Sequence, residues 1–199
     1  MPSDYAAVVP RPSKSAAFGG WFGWTLMPLR HSDDSKLEEL YLNWFGDQKA
    51  LTKGLPIVHR YRDGAMKIVR AHHTGESRVR GITIVLPMSA KGVRAFWNND
   101  FDGRDISQEY LADSFATAHA LYWWVSVAPG SALRALPLLR FALSQPPFDG
   151  KVTYAVAGSD AGMRILTHLG FEPMLDEGEP QAGTRFVSNF FATPERQRA

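Results

Sequence analysis

The chain has 199 residues, 45% of them hydrophobic, which is enough to bury one good core and makes a single domain the expectation. Lysine and arginine total 22 against 20 acidic residues, so the net charge of +2 gives no reason to expect nucleic acid as a partner. The absence of cysteine excludes disulfides, thiolate metal sites and a cysteine nucleophile, and no apolar run approaches the ~20 residues of a membrane helix. A cytoplasmic protein without a membrane partner is the expectation.

Residues 1–20 contain prolines and lack the basic, apolar and small-residue zones of a signal peptide, so they read as a flexible lead-in. The domain is expected over 21–193, with 194–199 as a tail. "WTLMPLRH" (Trp24 to His31) predicts a first strand, and "SDDSKLEELYLNWFG" predicts a helix with a capping box, Ser35 with Glu38. No element is assigned between that helix and "AMKIVRAHH", which pairs through the turn residues "TGES" with "RVRGITIVLPM" in a predicted hairpin. The polar stretch "SAKGVRAFWNNDFDGRDISQEYLADSFATAHA" is turn-rich and helix-compatible in its second half. "LYWWVSVAP" (Leu121 to Pro129) is β-branched and aromatic, a buried strand. In "SALRALPLLRFALSQ" the helix proper should begin near Pro137, since proline is tolerated only in the first turn.

The closing block is the most informative. "TYAVAG" reads as a buried strand, Ser159 or Asp160 as a helix cap, Met163, Ile165, Leu166 and Leu169 as the apolar face, and Gly170 as the stop. "FEPM" and "GTRFVSNFFA" follow as strands. Strands and helices in this order favour a sheet with helices on both faces.

Four segments, "WTLMPLRHSDDSKLEELY", "RVRGITIVLPMS", "LYWWVSVAPG" and "AVAGSDAGMRILTHLGFEPM", resemble the GNAT superfamily of N-acetyltransferases over roughly residues 24 to 192. The resemblance implies an α/β fold with a mixed, mostly antiparallel central sheet. It also implies transfer of an acyl group from acetyl-CoA or another acyl-CoA to a small-molecule or peptide amine, by direct attack in a ternary complex. In that family the strand carrying Val125, Ser126 and Val127 would splay from its neighbour, leaving backbone groups for the pantetheine arm. The turn Gly130, Ser131, Ala132, Leu133, Arg134 and Ala135 would face the pyrophosphate, with Arg134 as a side-chain ligand, and Ser159 would stand where relatives often hold an asparagine. The phosphate-loop positions fall here on Ala132, Ala135 and Pro137, and the tyrosine that often serves as general acid falls on Leu166.

His119 lies just before the Trp-rich strand, near where relatives keep a general base, and Tyr122 is a thiolate-proton donor or a packing residue. Asp113 reads as helix surface. His72 and His73 lack a third ligand at a metal-binding spacing, so no metal site is expected. His168 sits favourably beside free helix carbonyls, and "WNNDFDGRDI" is a turn without the register of a calcium loop. A non-catalytic GNAT-like binding or regulatory domain, or an acyltransferase using acyl-ACP, stays open as an alternative, and a homodimer is compatible with the sequence.

Overall fold

The computed structural model describes residues 24–46, 48–71, 77–128, 130, 136–174 and 181–188. Among the described residues, seven strands form one sheet in the order β1-β2-β3-β4-β5-β7-β6. They are β1 Trp24–Pro28, β2 Ala65–Ala71, β3 Ser77–Met88, β4 Ala120–Val127, β5 Thr153–Val156, β6 Glu172–Met174 and β7 Arg185–Ser188. All neighbours are antiparallel except β4 and β5, which are parallel. The helices are α1 Asp34–Phe45, α2 Gln48–Arg60, α3 Ala90–Trp97, α4 Leu136–Leu143 and α5 Asp160–His168.

Side chains alternate across β3, so Ile82 and Ile84 bury toward α1 and α2, while Thr83 points to the other face. There Trp123 donates its indole N–H to the Thr83 hydroxyl (2.8 Å) and packs on Phe171 after α5. Ile68 also packs against Leu138 of α4. Helices thus cover both faces, and the core runs through β3 and β4 from Leu37, Leu40 and Tyr41 on one side to Leu166 and Leu169 on the other.

Three elements depart from expectation. First, α1 starts at Asp34, so Ser35 is its exposed second residue and not a cap; Asp33 holds the turn before it by accepting the Arg30 N–H (2.8 Å). Second, α2 fills the segment left unassigned, despite Gly54 and Pro56 inside it. Third, the helix of the polar stretch lies in its first half. Ser89 caps α3 by accepting the Gly92 N–H (3.1 Å), and Phe96 anchors the helix in the core, whereas the second half holds only a short 3₁₀ turn at Gln108–Tyr110.

The hairpin β2–β3 and the closing block match the expectation. Ser159 caps α5 through the Gly162 N–H (3.1 Å), and Gly170 adopts the left-handed conformation (φ 83°). Phe171 N–H then bonds back to the Leu166 carbonyl (2.9 Å), which turns the chain into β6. Pro137 lies in the first turn of α4, where its missing N–H leaves no helical bond unmade.

Candidate active site

The site forms where β4 leaves β5. Only Leu121, Tyr122 and Trp123 pair with β5, opposite Thr153, Tyr154 and Ala155. Val125, Ser126 and Val127 stay paired with β3, opposite Ile84, Thr83 and Ile82. Among the described residues, the β5 side of Trp124–Val127 therefore has no paired strand. Backbone groups alternate sides along a strand, so part of this segment's N–H and C=O groups open into the gap. The register shifts between Ile84 and Val85, with Trp124 as the extra residue of β4. Such a bulge kinks the strand and increases its local twist, which carries β4 away from its neighbour.

The bulge also turns Trp124 toward α2, on the face opposite Trp123. Its indole N–H donates to the Gly103 carbonyl (2.6 Å), and the ring lies against Gly54. This ring is one wall of a cavity of about 300 Å³ between α2 and residues 104–108, lined also by Lys53, Pro56, Ile57, Arg104, Asp105, Ile106 and Gln108. Lys53 and Asp105 bridge its rim at 2.6 Å, both largely exposed. The Arg104 turn is fixed by the Asp102 carboxylate, which accepts the Arg104 N–H (2.8 Å). An apolar wall beside charged rim groups suits a molecule with an apolar body and a polar end.

The expected residues distribute unevenly about this gap. Val125, Ser126 and Val127 border it, with Ser126 exposed and both valines buried. Gly130 follows β4, exposed and with positive φ (56°). Ser131, Ala132, Leu133, Arg134 and Ala135 lie outside the described residues, as do His72 and His73. The Ser159 oxygen is committed to its helix cap.

His119 precedes the N-terminal, fully paired end of β4, exposed, its N–H bonded to the Met88 carbonyl (2.9 Å). At ~3.3 Å per extended residue it lies roughly 16 Å along the strand from Trp124. The structure thus separates the expected base from the gap. Tyr122 is buried among Phe96 and Phe101, with its hydroxyl against Gly103. Burial, followed by the nearby Asp102 charge, pushes that hydroxyl well above its ordinary pKa of 10.0. Asp113 is exposed and pairs with Arg60 (3.3 Å).

The residues that sequence reasoning missed are those of the cavity contributed by α2 and by 104–108. No single-residue signal marks them, because their meeting depends on how two separate segments fold over Trp124.

No protein-family model matches the chain, and a search of the curated proteins finds no match. Solved structures do. The chain is similar to a mosquito arylalkylamine N-acetyltransferase-like 5b protein, at 12% identity and a TM-score of 0.54, over 83% of this chain and 99% of that one. It is similar to an acetyltransferase of the GNAT family from Staphylococcus aureus Mu50, at 11% identity and a TM-score of 0.50, over 83% and 98%. It is also similar to NAA60 of Arabidopsis thaliana, solved in complex with acetyl-CoA, at 12% identity and a TM-score of 0.50, over 84% and 99%.

The chain has the GNAT fold. One of these structures is named as a GNAT-family acetyltransferase and another as acetyltransferase-like, and each of the three is matched over 98% or more of its own length. Among the described residues, no helix of this GNAT-fold chain is long and apolar enough to cross a membrane.

Proposed function

We propose that the chain is an N-acyltransferase that moves an acyl group from an acyl-CoA, such as acetyl-CoA, to the amine of a small molecule or peptide. The observation that carries this reading is the gap between β4 and β5 that begins at Trp124, the residue of the bulge and also a wall of the cavity. In this reading the pantetheine arm pairs with Val125–Val127 as a missing strand would, and the pyrophosphate lies toward Gly130 and Ser131 to Ala135. A backbone N–H at the bulge polarises the thioester carbonyl and stabilises the oxyanion that forms on attack.

The acceptor occupies the cavity, its apolar body against Trp124 and Ile57. Its amine nitrogen adds to the thioester carbon, the tetrahedral intermediate collapses, and the C–S bond breaks. The sulfur leaves as the CoA thiolate and is protonated by solvent. The proton lost by the amine passes to Asp105, the one carboxylate among the described residues lining the cavity. Proximity of the two bound substrates supplies much of the rate. His119, at the far end of β4, has no proton-transfer role in this reading, and Tyr122 packs.

The test is calorimetric titration with acetyl-CoA, CoA and 3′-dephospho-CoA, followed by an amine screen on wild type, Asp105→Asn and His119→Ala. Micromolar binding of acetyl-CoA, with turnover lowered roughly 100-fold in Asp105→Asn and unchanged in His119→Ala, supports the reading. Binding without turnover of any amine points instead to a binding or regulatory domain. Absence of CoA binding, with turnover of an acyl-ACP, points to the other carrier, which Pro137 favours because it offers a phosphate no backbone N–H, whereas Ala132 and Ala135 keep theirs.

A further inference from the structure

A second polar cluster lies where the N-terminus of α1 meets the C-terminus of α2, and the acyl-transfer reading makes no use of it. His59, in the last turn of α2, places Nε2 3.0 Å from Asp34 Oδ2. His31, in the 3₁₀ turn just before α1, places Nδ1 3.8 Å from the same oxygen. The three ligand atoms all lie within 4.8 Å of one another. The imidazole rings meet edge to face, with centroids 5.1 Å apart, so neither ring stacks over and shields the other's nitrogens.

We propose that His31, Asp34 and His59 bind one divalent transition-metal cation of the zinc class, fastening α1 to α2. An ion bonded to all three at ~2.0–2.2 Å requires ligand atoms roughly 3–4 Å apart. Both distances to Asp34 Oδ2 already fall in that range, and His31, whose side chain is 76% exposed, closes the third by a small turn that gives up its contact with Arg62. Two imidazoles and one carboxylate suit zinc, nickel or copper over magnesium or calcium, which prefer oxygen ligands. The fourth position is left to water. His59 sits beside the C-terminal carbonyls of α2, whose partial negative charge favours a cation.

Arg62 gives the site its particular character. Its Nη2 lies 3.2 Å from Asp34 Oδ1 and 2.9 Å from His31 Nδ1, and its Nη1 donates to the Leu29 carbonyl (3.4 Å). By holding Oδ1 it leaves Asp34 Oδ2 directed at His59, the role of an outer-shell partner. By occupying the His31 Nδ1 lone pair it also competes with the metal. Its positive charge opposes a second cation nearby, so micromolar affinity is expected.

The experiment is calorimetric titration of the full chain with zinc chloride, with the melting temperature as a second readout. The wild type is expected to bind one zinc ion saturably. His31→Gln and His59→Gln should each weaken binding about tenfold or more, and together should abolish the zinc-dependent rise in melting temperature. Arg62→Gln keeps an N–H donor for Asp34 while removing the competing charge, and should tighten binding about tenfold. No saturable binding by the wild type overturns the proposal. Unchanged binding by the His31→Gln/His59→Gln double variant also overturns it, since the ion would then sit on other histidines. Unchanged or weaker binding by Arg62→Gln overturns it as well. The two histidines are exposed, so their variants remain decisive should Arg62→Gln fail to fold.

Discussion

Asp33 is the point at which β2 is tied to the start of α1. Its two oxygens accept from the Lys67 ammonium at 2.7 and 2.8 Å, and one also takes the Arg30 N–H. Burial pushes this carboxyl up, but the Lys67 and Arg30 bonds outweigh it and hold the group below its ordinary value of 3.8. A carboxyl lowered in the folded state stabilises the fold at pH above that ordinary value, and the contribution disappears as pH falls through the folded-state pKa. Asp33→Asn should therefore cost about 1–2 kcal/mol at neutral pH. The gap from wild type should close as pH drops below about 4, read from urea midpoints at a series of pH values. A gap of constant size down to pH 2 would show that the charge is not the source. Residues of local origin were legible in the sequence: Ser159 and Gly170 each act within a few positions of the chain. His119 lies at the paired end of β4, a placement its sequence context did not reveal, because where a sheet opens is set by pairing between distant segments.

At the scale of elements, α2 is the instructive case. Gly54 and Pro56 are the two poorest helix formers, and they hid a helix that tertiary packing sustains. Gly54 is there for the sake of Trp124, since a Cβ at this position would overlap the indole ring. The ring cannot swing aside freely because its N–H is held by Gly103. Gly54→Ala sets two effects against each other. The gain in helix propensity is about 1 kcal/mol, while overpacking against an anchored aromatic costs about 1–3 kcal/mol. The second should win, giving a lower melting temperature and, because the displaced ring moves into the cavity, a higher KM for the amine acceptor. A more stable Gly54→Ala protein would mean that Trp124 is loosely held and does not shape the cavity. The position of α3 was misjudged for a related reason. The signals that decide it are the Ser89 cap and the burial of Phe96, and they outweigh the polar character of the surrounding stretch.

Across the whole molecule, the order of the strands, and of the helices other than α2, was readable from the sequence, while the opening between β4 and β5 was expected only through the family resemblance. β4 is aromatic and β-branched along its length, so nothing in its composition distinguishes the paired half, Leu121–Trp123, from Trp124–Val127. What separates them is the bulge against β3 and a β5 strand of only 4 residues that continues into pairing with β7. Hydrogen exchange should expose this division. Amides of Ile82–Ile84, paired with both β2 and β4, and of Leu121–Trp123, paired with both β3 and β5, should be protected to the limit set by global unfolding, whereas the gap-facing amides of Trp124–Val127 should exchange faster. Acetyl-CoA, if it fills the missing strand position, should slow exchange selectively in Trp124–Val127 and raise the global stability by about 2.7 kcal/mol at a concentration 100 times its Kd. Stabilisation that spreads evenly over the sheet, with no local protection on β4, would place the ligand elsewhere and remove the gap from the mechanism.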